Sequence, residues 1–425
     1  MPELKASKRL VISATIAGNV LEWYEFGLYA YLGPTIASLF FPPTDQGFAA
    51  TVNVLMIFSI GFLSRPFGGL LFGSLGDRLG RRFALLLSIV TMSLPTFVIG
   101  FLPTFAQVGY LAPLSLCIFR LIQGIPVGGE FPGTICYLME TAGSKEKGFF
   151  SSFAFFGSQL GILFNVAECL LLETFLTKEQ ILDWGWRISF FTGGAIGLFG
   201  FYLRHKLRET PLFVALEKRH HVAKAPIHHV LRSQKKRILL AFLIGALPLG
   251  GFYAIFLFAS IYLEQFFHLT VDQGLLLSGG LLLVSTSFLP WVGRCADKTS
   301  PKKILLFSAL LTAVLTIPLT YAFQFKSFYF VLFFTLLLVL STSASFALIS
   351  QAMANLFPTT VRFTSLAMAY NLSNVFFAGV IPMVAIYYMK VYHSIHSLAW
   401  SLVFLSLVSA FAVLSLQEKN SDLCA

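Results

Sequence analysis

With 425 residues, 56% of them hydrophobic and 12% charged, and a mean hydropathy of +0.79, the chain is too apolar for a soluble domain, where about 25% of residues are charged. Its net charge of +11 would suit a nucleic-acid partner, but the basic residues collect in alternate connections between apolar runs, which is a topology signal. The composition describes a polytopic membrane protein whose surroundings are the lipid bilayer.

Apolar runs of ~20 residues, each enough to cross ~30 Å of hydrocarbon, recur without strand-like alternation, so the spans are helices rather than barrel strands. Twelve are predicted, at about 10–33, 47–72, 83–102, 107–139, 149–172, 186–204, 238–263, 274–293, 304–323, 327–352, 362–389 and 395–416. The polar segment Arg204 to Arg237 separates six spans from six. The expected organisation is an N-terminal six-helix half at 1–203, a cytoplasmic linker at 204–237 carrying short surface helices, and a C-terminal half at 238–425 with a short tail. On the outer side only Lys178, Lys326 and Lys390 are basic, which places both termini in the cytoplasm of a bacterial inner membrane. No cleavable leader is read at the N-terminus. The five cysteines are scattered and the eight histidines lie outside the span cores. No disulfide framework, metal site or cofactor is expected, and an intramembrane enzyme lacks its nucleophile and base.

The most distinctive polar stretch is G-S-L-G-D-R-L-G-R-R at 73–82, between the second and third spans. Gly73, Gly76 and Gly80 permit tight turns and close helix approach. Arg78, Arg81 and Arg82 suit the cytoplasmic headgroup region. Asp77, a carboxylate among arginines, is placed to meet a helix N-terminus or an arginine fork. A degraded copy, G-R-C-A-D-K-T-S-P-K-K at 293–303, carries Asp297 in the same setting half a chain further on. The inside connections after the fourth and tenth spans, with Glu140 and Arg362, form a second recurring pair. The repeats point to two pseudo-symmetric halves latched on the inside, an architecture in which substrate sits between halves near the midplane.

An ionisable residue at span depth costs at least about 2.5–3.5 kcal/mol and is a functional candidate. Glu22 and Glu25 lie three residues apart in the first span, near one helical face with Trp23, Tyr24 and Tyr29 around them. Arg120 of the fourth span is the expected partner of Glu25. The pair either couples proton uptake to release of the arginine for a substrate carboxylate, or permanently orients two helices. Arg65 and Glu130 are expected to face each other nearer the inside, as gate or as packing pair, and Glu168 to reach the outer interface. The second half offers almost no span-depth charge. Its share of a pocket is read as Phe252 and Tyr253 after L-P-L-G-G, and Tyr370, Asn371 and Asn374 in the eleventh span.

These residues carry a resemblance. With G-N-V-L-E-W-Y-E-F at 18–26, S-R-P-F-G-G at 64–69, the island at 73–82, R-L-I-Q-G-I-P-V-G-G-E at 120–130, D-W-G-W-R at 183–187, R-E-T-P at 208–211, F-P-T-T-V-R at 357–362 and A-Y-N at 369–371, the chain resembles the major facilitator superfamily. Within it the chain is similar to the metabolite:proton symporters of proline/betaine, α-ketoglutarate, citrate and shikimate. The resemblance implies an all-α fold of twelve transmembrane helices in two pseudo-symmetric halves, and alternating access driven by the proton gradient. It also implies an island that latches the inside-closed state and an acid–arginine pair that falls on Glu25 and Arg120. The family usually has Asp where this chain has Glu25, and the second island lacks the full pattern. No coiled coil follows the twelfth span, so osmotic sensing by that device is not expected. The function expected is monomeric symport of a proton with a small carboxylate-bearing metabolite. A zwitterion such as proline or betaine stands ahead of a di- or tricarboxylate, and a proton-independent facilitator or an exporter is the alternative.

Overall fold

The computed structural model describes residues 7–42, 64–256, 267–392 and 396–416. All regular structure among them is helical, as hydrocarbon requires, because a helix bonds every backbone N–H and C=O within its own segment. The helices are α1 (Lys8–Phe40), α2 (Arg65–Leu79), α3 (Arg81–Ile99), α4 (Leu111–Thr141), α5 (Lys147–Phe175), α6 (Trp186–His205), α7 (Pro211–Lys218) and α8 (Pro226–Ser233). There follow α9 (Lys235–Ile244), α10 (Val271–Lys298), α11 (Pro301–Gln324), α12 (Phe328–Ala354), α13 (Arg362–Ser373), α14 (Ile381–Tyr392) and α15 (His396–Leu414).

Of these, α3, α4, α5, α10, α11 and α12 are each long and apolar enough to cross a membrane. A seventh crossing is α9 with its continuation Ala246–Phe256, bent by 42°. α1 has the length, 33 residues, but carries Glu22 and Glu25. The predicted second span lies largely, and the seventh partly, outside the described residues, as does the C-terminal tail. Local chemistry sets several helix starts. Thr210 and Thr270 each accept a hydrogen bond from the backbone three residues on, and Pro211 and Pro301 occupy first-turn positions that need no N–H.

The chain forms two compact units, and neither equals a half of the sequence. The first comprises Met1–Glu140, Gly157–His228 and Thr359–Ala367; the second comprises Thr141–Phe156, His229–Pro358 and Met368–Ala425. In the first, α1 packs against α3 and α6. One end of that packing is an apolar cluster of Leu28, Leu32, Ile36 and Phe40 with Leu116, Trp186 and Phe190, in which Phe40 meets the Trp186 ring edge-on at 5.5 Å. In the second, α11 packs on α12 and α15 around Leu281, Phe323, Val331, Leu338 and Leu402. Among its buried polar groups are hydroxyls that bond one another: Ser285 with Ser343 at 2.7 Å, Ser308 with Ser345 at 2.7 Å and Thr312 with Ser341 at 2.9 Å. Each such bond between helices contributes roughly 1 kcal/mol.

Candidate functional site

The polar interior of the first unit is assembled from α1, α3 and α4. Glu25 is buried, at 3% exposure, and hydrogen-bonds the Thr96 hydroxyl. Gln123 Nε2 donates to the same hydroxyl at 2.8 Å, while Gln123 Oε1 accepts from Arg120 Nη1 at 3.3 Å and from the Tyr29 hydroxyl at 3.3 Å. The Arg120 guanidinium stacks 3.6 Å over the Tyr29 ring, a cation–π contact that holds a buried charge in one orientation. A continuous chain, Glu25–Thr96–Gln123–Arg120, therefore joins the two predicted partners. Thr96 and Gln123 were not singled out in the sequence, although Gln123 follows Arg120 by one helical turn.

Glu22, one turn before Glu25, serves different neighbours. It is buried with its Oε2 outside any hydrogen bond, within electrostatic reach of Arg65, Glu130 and Arg204. Glu130 is not the partner of Arg65 that the sequence led us to expect: Arg204 holds it. Arg204 is fully buried; its Nη2 pairs with Glu130 Oε1 and its Nη1 lies 2.8 Å from Oε2. Its remaining N–H groups donate to the carbonyls of Ala14 at 3.1 Å and Leu85 at 2.7 Å. One guanidinium so ties α1, α3, α4 and α6 together. Arg204 reads in the sequence as the first residue of a basic linker; its neighbours, not its type, make it a core residue.

The island ends α2 at Gly80, whose φ of 104° favours glycine, and starts α3. Asp77 Oδ1 accepts from the Phe363 N–H at 3.2 Å, and Oδ2 from the Thr364 N–H at 2.9 Å and its hydroxyl at 2.8 Å. These donors belong to the first turn of α13, where helix N–H groups lack partners and a carboxylate is favoured. Burial pushes the Asp77 carboxyl up to about 6, against the opposing pull of Arg81 and the Phe363 and Thr364 donors. Gly73 and Gly76 let α13 approach, for a Cβ at Gly73 would lie 2.7 Å from Thr364 Cα and one at Gly76 would strike the Phe363 ring.

Arg81 contacts Asp77 Oδ1 at 3.2 Å and Glu140 Oε2 at 3.0 Å, and donates to the carbonyls of Gly76 at 2.8 Å and Thr359 at 2.6 Å. Glu140 also receives Arg362 Nη1 at 3.0 Å and the Thr210 hydroxyl at 2.7 Å. Glu209 closes the cluster by accepting from the N–H groups of Arg81 at 3.1 Å and Arg82 at 3.0 Å, the open N-terminus of α3. Arg82 donates to the His205 carbonyl at 2.9 Å, and Arg78 is exposed. The R-E-T-P segment is thus docked on the island.

In the second unit, Asp297 accepts from the N–H groups of Gly148 at 2.6 Å and Phe149 at 2.9 Å, the first turn of α5. Of the aromatic and amide candidates there, Phe252 is buried and meets Tyr253 edge-on at 5.5 Å and Phe346 at 5.7 Å. Tyr370 and Asn371 are buried, and Asn374 Nδ2 donates to the Tyr370 carbonyl at 3.0 Å. Tyr24, in the first unit, is fully buried and its hydroxyl meets Glu168 and the Ser189 carbonyl.

Buried carboxylates and arginines at mid-span depth in a multi-pass helical protein are the make-up of a membrane transporter, not of an enzyme. A model of the family "Sugar (and other) transporter" matches residues 10–237, more than half of the chain, and the chain belongs to that family. The proline/betaine transporter of Escherichia coli is 30% identical over 419 residues, covering 96% of this chain and 83% of that protein. The glycine betaine/proline/ectoine/pipecolic acid transporter OusA of Dickeya dadantii is 28% identical over 424 residues, with the same coverage. The solved structure of the major facilitator superfamily proton:xylose symporter XylE bound to 6-bromo-6-deoxy-D-glucose superposes with a TM-score of 0.79 at 18% sequence identity, covering 96% of this chain and 94% of that one. The fold is that of the major facilitator superfamily.

Proposed function

We propose that this transporter imports a small zwitterionic metabolite of the proline/betaine kind together with a proton, across a bacterial inner membrane with both termini inside. Residues 1–203 and 238–425 act as the two alternating halves, joined by 204–237, and the protein works as a monomer. The observation that carries this reading is the buried chain Glu25–Thr96–Gln123–Arg120. In it a carboxyl able to take a proton is wired to a guanidinium able to bind a carboxylate. Protonation of Glu25 loosens its hold on Arg120, which then meets the substrate carboxylate; loss of the proton reverses the exchange. Glu22 lies one turn from this device and adds a second buried carboxyl. Tyr29 positions Arg120, and Phe252, Tyr253, Tyr370, Asn371 and Asn374 are the second half's candidates for the ammonium and amide contacts. The cluster of Asp77, Arg81, Glu140 and Arg362, with Asp297 as its counterpart, latches the inside-closed state. The names of the relatives, proline/betaine and ectoine transporters, support the zwitterion over a tricarboxylate.

The test is uptake by proteoliposomes under an imposed proton gradient, with labelled proline, betaine, α-ketoglutarate and citrate offered in parallel. Accumulation of proline or betaine that a protonophore abolishes is expected, and Glu25→Gln should remove accumulation while sparing counterflow. Gradient-independent equilibration in the wild type would overturn the coupling.

A further inference from the structure

We infer that Ser151 is an uncharged latch of the inside-closed state: its hydroxyl bridges a turn of α12, and that turn closes on itself when α5 withdraws. Ser151 lies in the second turn of α5, is fully buried, and belongs with residues 141–156 to the second unit. Its Oγ donates to the Ala347 carbonyl at 2.8 Å and accepts from the Gln351 N–H at 3.0 Å. Ala347 and Gln351 stand four residues apart in α12, and a carbonyl and N–H so spaced are the pair that an α-helical turn joins directly. Entry of a side chain into this ladder is a known origin of joints in helices. It gives the turn two satisfactory arrangements, one with the hydroxyl and one without.

One face of α5 seats the bridge. Its first N–H groups, of Gly148 and Phe149, rest on Asp297; Ser151 follows one turn on. One turn further Phe155 stacks on Phe346 at 5.2 Å, with 25° between the rings. Spacings of three and four residues put these positions on one side of the helix, and Phe346 directly precedes Ala347, so ring and hydroxyl hold adjacent points of α12. Parting them strands no backbone group. The Ala347 C=O and Gln351 N–H are left to bond each other, and the Ser151 hydroxyl can turn to a carbonyl of its own helix, as Ser152 does with Phe149 at 2.7 Å. Asp297 differs, for its release leaves a carboxylate and two N–H groups in need of new partners. Ser151 thus favours the closed form by one hydrogen bond without penalising the open one. Its role as a latch rests on the alternating halves proposed above; the hydroxyl bridge itself does not.

The experiment is double electron–electron resonance on the full chain in lipid nanodiscs, with nitroxides at Lys145→Cys and Asn355→Cys, both exposed positions, and the five native cysteines replaced. Short and long distances between the start of α5 and the end of α12 report the closed and open forms. Ser151→Ala should raise the ratio of long to short about five-fold over the parent, the effect of one ordinary hydrogen bond on a two-state equilibrium. Ser152→Ala removes an equally buried hydroxyl bonded within its own helix and should leave the ratio unchanged. An unchanged ratio in Ser151→Ala, or an equal shift in Ser152→Ala, would overturn the proposal. Should Ser151→Ala fail to fold, Ser151→Gly deletes the same hydroxyl and is read by the same two outcomes. A single distance in the parent at every pH and with every substrate would defeat alternation and the latch with it. Two distances whose ratio Ser151→Ala shifts support the latch even where uptake proves independent of the proton gradient.

Discussion

The two islands solve one problem with unequal means. Asp77 and Asp297 each place a carboxylate on the first-turn N–H groups of another helix, α13 in one case and α5 in the other. Each contact depends on glycine: Gly73 lies against Thr364, and Gly293 faces Gly148 so closely that a Cβ on either would meet the other's backbone oxygen. Beyond that, the first island adds Arg81, Glu140, Arg362, Thr210 and Glu209, whereas the second adds the Arg294 guanidinium 4.7 Å over the Phe149 ring. The aspartate cap and the glycine approach are therefore the shared core of the motif, and the arginine network is an elaboration of one copy. The sequence had degraded around Asp297 without disturbing the part that makes the contact.

That comparison is sharpest at the arginines. Arg81→Ala would leave Asp77 and Glu140 buried without their shared cation, and breaking a buried pair in this way costs about 3–5 kcal/mol. Arg294→Ala should lose only a cation–π contact, about 0.5–1 kcal/mol. Thermal unfolding in detergent measures both, and equal losses would erase the distinction between the islands. Next come the acids. Asp77→Asn gives up one charge, its pairing with Arg81 and part of a three-donor cap, Asp297→Asn one charge and a two-donor cap. With charge-assisted bonds at roughly 1.5–3 kcal/mol each, the first substitution should be the more destabilising, and the reverse order would locate the stronger cap in the second copy. The smallest contrast is expected at glycine: Gly73→Ala and Gly293→Ala both press on backbone and should each cost about 1–3 kcal/mol. A harmless Gly293→Ala would show that its close approach is not required.

The helical fold was legible because hydrocarbon thickness fixes run length and because few charges interrupt the runs. Glu25 and Arg120 stood out for the same reason. Thr96 and Gln123 did not, since neutral polar residues are common in such helices and only the packing of α3 on its neighbours brings them between the two charges. Arg204 was hidden by its setting, R-H-K-L-R, which reads as a loop up to the residue where the helix ends. Glu209 and Thr210 sit in a recognisable segment, yet their partners lie 128 and 70 residues away, respectively, beyond what spacing can report. Asp77 was the opposite case: a carboxylate among arginines had only two plausible destinations, a helix N-terminus or a guanidinium, and it reaches both.

Among the described residues, every buried charged side chain belongs to the first unit: Glu22, Glu25, Asp77, Arg81, Arg120, Glu130, Glu140 and Arg204. The second unit's buried polar side chains, among the described residues, are hydroxyls and the amides of Gln234, Gln351 and Asn371, all uncharged. A voltage across the membrane does work on charge, about 2.3 kcal/mol per elementary charge for each 100 mV crossed, and very little on paired hydroxyl dipoles. Among the described residues the buried electrical handle is thus confined to one of the two units, and any dependence of turnover on membrane potential that arises from these side chains has its origin there.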